Sequence, residues 1–152
     1  MLIAPTSLRL LVVDDNADAA ETLGLLLGLW GHEVRVTRTG PEALEAAPVF
    51  RPDVALVDIG LPGMDGYTLA GCLRQQPCLA EMVLIAVTGL ADQAHRRRSE
   101  EMGFYLHLIK PVDPEELQTI LIDLAQDKVR KSTRLATGAG NGSGVPRPDP
   151  CS

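Results

Sequence analysis

Short apolar runs and amphipathic stretches alternate along the chain, five of each, at a spacing of roughly 24 residues. The first run, Leu8–Val13, is apolar apart from Arg9 and stops abruptly at Asp14-Asp15-Asn16, as a buried strand does on reaching solvent. A helix is predicted over Ala17–Trp30. Leu23, Leu26, Leu27 and Trp30 fall at i, i+3, i+4 and i+7 on one face, Leu25 and Leu29 widen that face, and Gly31 suits the C-terminal cap. Glu33–Thr37 alternates and reads as a second strand. The next helix, Pro41–Phe50, opens on a proline suited to a first turn, while Pro48 is expected to kink or shorten its end. Val54–Asp58 is the third strand and Tyr67–Gln75 the third helix, closed by Pro77. Met82–Val87 is the fourth strand, ended by Thr88-Gly89. A mostly polar helix over Asp92–Met102 carries Arg96-Arg97-Arg98, and Tyr105–Ile109 is the fifth strand, ended by Lys110-Pro111. A last helix begins near Pro114, sets Leu117, Ile120, Leu121 and Leu124 on one face, and is expected to fade by Arg130.

Strands alternating one for one with helices predict an α/β fold: a five-stranded parallel sheet covered on both faces and joined by right-handed crossovers. The folded domain is expected over residues 8–130, after a loose leader at 1–7. Residues 131–152 are rich in Gly, Ser and Pro, with Leu135 and Val145 the only sizeable aliphatics. Such a segment buries too little to offset its ordering entropy, and is read as a disordered tail or linker stub.

Composition changes this picture little. At 152 residues and 45% apolar, the chain suits one domain with one real core. A net charge of −6 argues against nucleic acid or an anionic membrane as its main partner. Cys72, Cys78 and Cys151 have no metal-ligand spacing and are read as reduced thiols. The N-terminus lacks the pattern of a signal peptide, and no run approaches the ~20 apolar residues of a membrane helix, so a cytoplasmic protein is expected.

The strand ends carry the candidate chemistry. The first strand ends in Asp14-Asp15, the third in Asp58, the fourth at Thr88, the fifth at Lys110. In a parallel sheet these ends share one edge, where ligands of open α/β folds bind. Three carboxylates with reference pKa values near 4 repel one another at neutral pH, so the site must take a cation or raise a pKa. A hard divalent ion such as Mg²⁺ fits such oxygens. Ammonium, hydroxyl and metal together would hold a phosphoryl group on or beside Asp58, stabilising the charge that phosphoryl transfer develops. No member is specific alone; their joint order is.

Val12-Val13-Asp14-Asp15-Asn16, the loop Val57-Asp58-Ile59-Gly60-Leu61-Pro62-Gly63-Met64-Asp65-Gly66, Val87-Thr88-Gly89 and Lys110-Pro111 resemble the receiver (CheY-like) domain of bacterial two-component response regulators, over about Leu8–Lys128. Gly103–Asp113 is similar to receivers of hybrid sensor histidine kinases. The resemblance implies a flavodoxin-like sheet of order 2-1-3-4-5. It implies Asp58 as the phosphoacceptor for a sensor histidine kinase or phosphotransfer protein. It implies Mg²⁺ held by Asp15, Asp58 and the backbone carbonyl of Gly60, with Asp14 acting through water. Lys110 would pair with the phosphoryl oxygens, Thr88 would turn toward them, and Lys110-Pro111 would be a cis peptide. Three residues before Lys110, where the family places its switch aromatic, stands His107: either the rotating switch or a strand residue that faces outward. An unknown downstream protein, and a homodimer through the 92–102 helix, the fifth strand and the last helix, are the partners implied.

The function expected is therefore a phosphorylatable switch of protein contacts rather than an enzyme, with no output domain in this chain. Two readings compete. An aspartate-nucleophile phosphatase typically has a second Asp two residues after the nucleophile, where this chain has Gly60. A receiver-shaped scaffold that no longer takes phosphate would lack one of the residues that are all present here.

Overall fold

The computed structural model describes residues 7–89 and 103–138, the last ten of these by backbone alone. Five parallel strands form one sheet: β1 (Arg9–Val13), β2 (Glu33–Thr37), β3 (Val54–Asp58), β4 (Val83–Thr88) and β5 (Phe104–Ile109), in the order β2-β1-β3-β4-β5. The helices are α1 (Ala17–Leu29), α2 (Gly40–Phe50), α3 (Gly66–Arg74) and α4 (Pro114–Gly138), with a short 3-10 turn at Pro77–Leu79. This is the flavodoxin-like sheet expected. The helix predicted over 92–102, the leader and the end of the tail lie outside the described residues. Among the described residues, no helix is long and apolar enough to cross a membrane.

The core follows from alternation along strands buried on both faces. Leu11 and Val13 of β1, Ala55 and Val57 of β3, and Leu84 and Ala86 of β4 face α2 and α3, meeting Ala43, Ala47, Leu69 and Leu73. Leu10, Val12, Leu56, Ile85 and Val87 face the other way, onto Ala20 and Leu27 of α1 and Leu117, Leu121 and Leu124 of α4. β3, in the middle, is buried at all five positions. Helix starts are fixed by local caps: Asn16, Thr39 and Asp65 each accept a backbone N–H of the first turn that the helix cannot itself satisfy.

α2 ends at Phe50 as expected, so Pro48, which lies inside it, does not shorten it. The proline lies in the last turn, where it costs one hydrogen bond, and Arg51 in the left-handed conformation closes the helix by donating its N–H to the Ala47 carbonyl. β4 includes Thr88, because its pairing with β5 continues to Ile109. α4 does not fade at Arg130 but is described through Gly138, so the first part of the expected tail is helical; Arg, Lys, Leu and Ala there favour helix. Cys72 is a free thiol, whereas Cys78 is disulfide-bonded, which corrects the reading of three reduced thiols.

β5 contains the least regular pairing. Leu84 pairs with Phe104 but Ile85 with Leu106, so Tyr105 is an extra residue in the ladder. The extra residue puts Phe104 on the α3 side, edge-on to Tyr67 with ring centres 6.2 Å apart, and Leu106 and Leu108 on the α4 side. Arg74 fastens the end of α3 to this region: its guanidinium donates to the carbonyls of Leu79, Ala80, Met82 and Gly103.

Two outcomes follow from this packing. A Cβ added at Gly66 would lie 2.8 Å from both the Asp58 carbonyl oxygen and the Ile59 Cα. Gly66→Ala should therefore destabilise the fold by about 1–3 kcal/mol, read by denaturant titration. The Leu8 N–H donates to His32 Nδ1 at 3.0 Å, and burial pushes the imidazole below its ordinary pKa. With the folded pKa lowered, this contribution is present above about pH 6.5 and lost as pH falls through the folded value. Melting curves from pH 8 to 5 should show that decline, and His32→Ala should remove it while lowering stability at pH 7 by about 1 kcal/mol.

Candidate functional site

The C-terminal ends of β1, β3, β4 and β5 converge as the sequence pattern required, because β1 and β3 are neighbours and all the strands run the same way. Asp14 follows β1. Its backbone N–H donates to the Thr37 carbonyl of the neighbouring strand at 3.1 Å, and its Oδ1 accepts from the Asn16 N–H at 3.0 Å. Asn16 in turn caps α1, so β1, the acidic pair and the helix start form one rigid turn. Asp14 is buried and Asp15 exposed.

Asp58 closes β3 with only 7% of its surface exposed. Its two carboxylate oxygens have different partners. Oδ1 accepts the backbone N–H of Gly60 at 2.9 Å, and Oδ2 accepts Lys110 Nζ at 2.9 Å. The loop that supplies Gly60 is held down at both ends: Ile59 N–H donates to Val87 O at 3.0 Å and Gly66 N–H to Ile59 O at 3.1 Å. Lys110 also reaches Asp14 Oδ2 at 3.5 Å, so one ammonium spans β5, β3 and β1. Its backbone is placed by the Lys110 N–H bond to Thr88 O at 2.8 Å, and the Lys110–Pro111 peptide is cis, as expected. Thr88 is buried at the end of β4.

The electrostatics follow from this crowding. Burial raises the Asp14 pKa and the charge of Asp58 adds to the rise, against the opposing Asn16 N–H and Lys110. Burial alone would lower the Lys110 pKa, but the hydrogen bond and charge of Asp58, with a smaller part from Asp14, outweigh it and raise the pKa. Lys110 therefore stays protonated at neutral pH. One ammonium against three carboxylates leaves the site negative. A ligand oxygen from each of Asp14, Asp15 and Asp58 lies within 4.8 Å of the others, an all-oxygen donor set that suits a hard divalent cation of the Mg²⁺ class.

Asp14, Asp15, Asp58, Gly60, Thr88 and Lys110 are thus brought to one sheet edge. His107 is placed differently. It sits in β5 in register with Ala86, half-buried, with both ring nitrogens shielded from solvent. The outward-facing description fits Tyr105 instead, which is 56% exposed at the extra position. Sequence reasoning assigned Gly60 only a carbonyl role and missed the N–H that orients Asp58. It also missed the Thr37 carbonyl that anchors Asp14. Backbone groups leave no side-chain signature; only the glycine after a strand-ending Asp hints at the first.

With this geometry in place, comparison with known proteins is specific. Residues 10–122 match the family model for the response regulator receiver domain. The chain is 36% identical over 108 residues, 71% of its length and 82% of the relative's, to an uncharacterised 14.6 kDa protein of Leptolyngbya boryana. It is 29% identical over 137 residues, 90% of its length, to the probable transcriptional regulator ycf27 of Cyanophora paradoxa, of which it spans 55%. Among solved structures, the receiver domain of sensor histidine kinase PA1611 from Pseudomonas aeruginosa PAO1, which carries a magnesium ion coordinated in its active site cleft, superposes with a TM-score of 0.72 at 30% identity, covering 79% of this chain and 98% of that one. The parallel sheet in this order, the acidic cluster at its edge and the match over residues 10–122 make the chain a member of the response regulator receiver domain family.

Proposed function

We propose that the chain accepts a phosphoryl group on Asp58 from the phosphohistidine of a sensor histidine kinase or phosphotransfer protein, in a Mg²⁺-dependent reaction, and thereby switches its contacts with a downstream protein. The observation that carries this reading is the state of Asp58: buried, with one carboxylate oxygen on a backbone N–H, the other on Lys110, and two further carboxylates alongside. A carboxylate placed only for capping needs no such surroundings.

In this reading a carboxylate oxygen of Asp58 attacks phosphorus. A P–O bond forms to Asp58 as the P–N bond to the donor imidazole breaks, and that imidazole leaves. The fixed Gly60 N–H holds the carboxylate in one rotamer for in-line approach. Lys110 gives up part of its pairing with Asp58 and takes the new phosphoryl oxygens, so the same cation serves both states. The Thr88 hydroxyl, at the adjacent strand end, turns toward the phosphoryl group; His107, further back on β5, is the proposed residue that follows it. Asp15, Asp58 and the Gly60 carbonyl would hold Mg²⁺, with Asp14 acting through water, and the bound ion would supply the positive charge that the carboxylates lack. The magnesium ion in the active site cleft of the Pseudomonas receiver supports a Mg²⁺ ion at this acidic cluster. A kinase partner and the absence of any membrane-length helix among the described residues agree with a cytoplasmic location.

Three measurements test the proposal. Intact mass after incubation with acetyl phosphate and Mg²⁺ should show one added phosphoryl group, absent without Mg²⁺ and absent in Asp58→Asn; addition to Asp58→Asn would refute the assignment. Lys110→Ala should retain some phosphorylation yet lose the change in amide hydrogen exchange that phosphorylation causes in the wild type. A full exchange response in that variant would remove Lys110 from the switch. Finally, a raised folded pKa means that the Asp14 contribution is favourable below the unfolded value and lost as pH rises through the folded one, so ionised Asp14 costs stability at pH 7. Asp14→Asn should raise the metal-free melting temperature at pH 7 by about 3–5 °C, on the order of 1 kcal/mol. Added Mg²⁺ should stabilise the wild type more than this variant.

A further inference from the structure

β2 is the outermost strand on its side of the sheet, and among the described residues nothing pairs with its outer edge. The ladder shows which groups that edge presents. Glu33 donates its N–H to Leu8 O, and Thr37 accepts from Asp14 N–H. In a parallel ladder the positions alternate, so Glu33, Arg35 and Thr37 turn their backbone groups toward β1, while Val34 and Val36 turn theirs outward. The two helices that flank the strand carry the three most exposed large apolar side chains of the described residues: Leu25 at 72% and Leu29 at 84% on α1, and Val49 at 82% on α2. α1 is seated directly on β2, where a Cβ on Gly24 would meet Val36 Cγ2 at 2.9 Å. Val49 lies beside Arg35, Val36 and Thr37 in a groove of about 380 Å³. The β2 edge is therefore open among the described residues, with the exposed Val49 of α2 beside it.

We propose that a second copy of this chain occupies this edge, its β2 antiparallel to the first, so that the two sheets join into one. The charges on the strand identify the occupant. Three antiparallel registers bond the outward groups of Val34 and Val36 around a two-fold axis. Pairing Val34 with Val36 sets Arg35 against Arg35, and pairing Val36 with Val36 sets Arg35 against Thr37. Pairing Val34 with Val34 sets Glu33 of each copy opposite Arg35 of the other, twice by symmetry. The strand is therefore complementary to itself in one register. Both side chains are available for this: Glu33 is 64% exposed even with Arg9 at 3.6 Å, and Arg35 is exposed. This edge is separate from the helix–strand–helix face that the family resemblance suggests for dimerisation, and it lies on the opposite side of the sheet from β5.

The test is a charge exchange on the full chain, read by sedimentation equilibrium across a concentration series. The wild type should dimerise. Glu33→Arg and Arg35→Glu, each creating two like-charge pairs per dimer, should weaken the dimer by on the order of tenfold or more. The double variant Glu33→Arg/Arg35→Glu should restore it, since the pairs are re-formed with reversed sign. Thermal melts confirm that each variant folds. Val49→Glu provides an independent disruption outside the strand. A wild type that stays monomeric, a dimer that both single variants leave intact, or a double variant that fails to recover would each overturn the proposal.

Discussion

The ion pair between Lys110 and Asp58 is the interaction on which the site depends. A parallel sheet brings the ends of β1 and β3 side by side, and both end in carboxylates. Asp14 and Asp58 are buried, so water screens their charges poorly and a nearby cation is needed to offset their repulsion. Lys110 supplies it from the far strand, 2.9 Å from Asp58 and 3.5 Å from Asp14. The pair is not there for stability alone, since a buried ion pair gains little over apolar packing. It leaves three carboxylates against one ammonium, a negative, all-oxygen site of the kind that suits a hard divalent cation.

The rest of the fold serves to keep that arrangement rigid. The Gly60 N–H holds the Asp58 carboxylate in its rotamer. Gly60 is in place because the loop is pinned to β4 by Ile59 and closed on itself by Gly66, whose missing side chain lets α3 start against the strand. On the β1 side, Asn16 ties Asp14 to the first turn of α1. These are backbone constraints, supported beneath by two apolar layers on either face of the sheet. Function is carried by precise placement of a few groups, and the core supplies the rigidity that makes the placement hold.

The two edges of the sheet have different characters. The β5 edge carries an extra residue at Tyr105 that twists the strand and breaks its ladder, which discourages pairing. The β2 edge is regular, short and charged with alternating sign, which permits pairing with a complementary strand while discouraging indiscriminate stacking.

The sequence by itself determined the α/β class, the C-terminal ends of four of the five strands and the identity of every charged side chain at the site. It could do so because periodicities of 2 and 3.6 survive in a short chain, and because a carboxylate after a buried strand has no bland explanation when it is repeated on neighbouring strands. The strand order came from family resemblance, since periodicity alone does not say which strands are neighbours. What only the tertiary structure decided are matters of backbone and register. Thr88 belongs to β4 because Ile109 pairs with it, and Pro48 is tolerated because Arg51 closes α2 behind it. The extra residue at Tyr105 is invisible to a period-2 reading, which would put Phe104, Leu106 and Leu108 on one face; the ladder divides them between two cores and half-buries His107. Asp58 is oriented by a backbone N–H, and backbone groups are the same in every residue. Their partners are chosen by the fold, and no pattern of side chains records the choice.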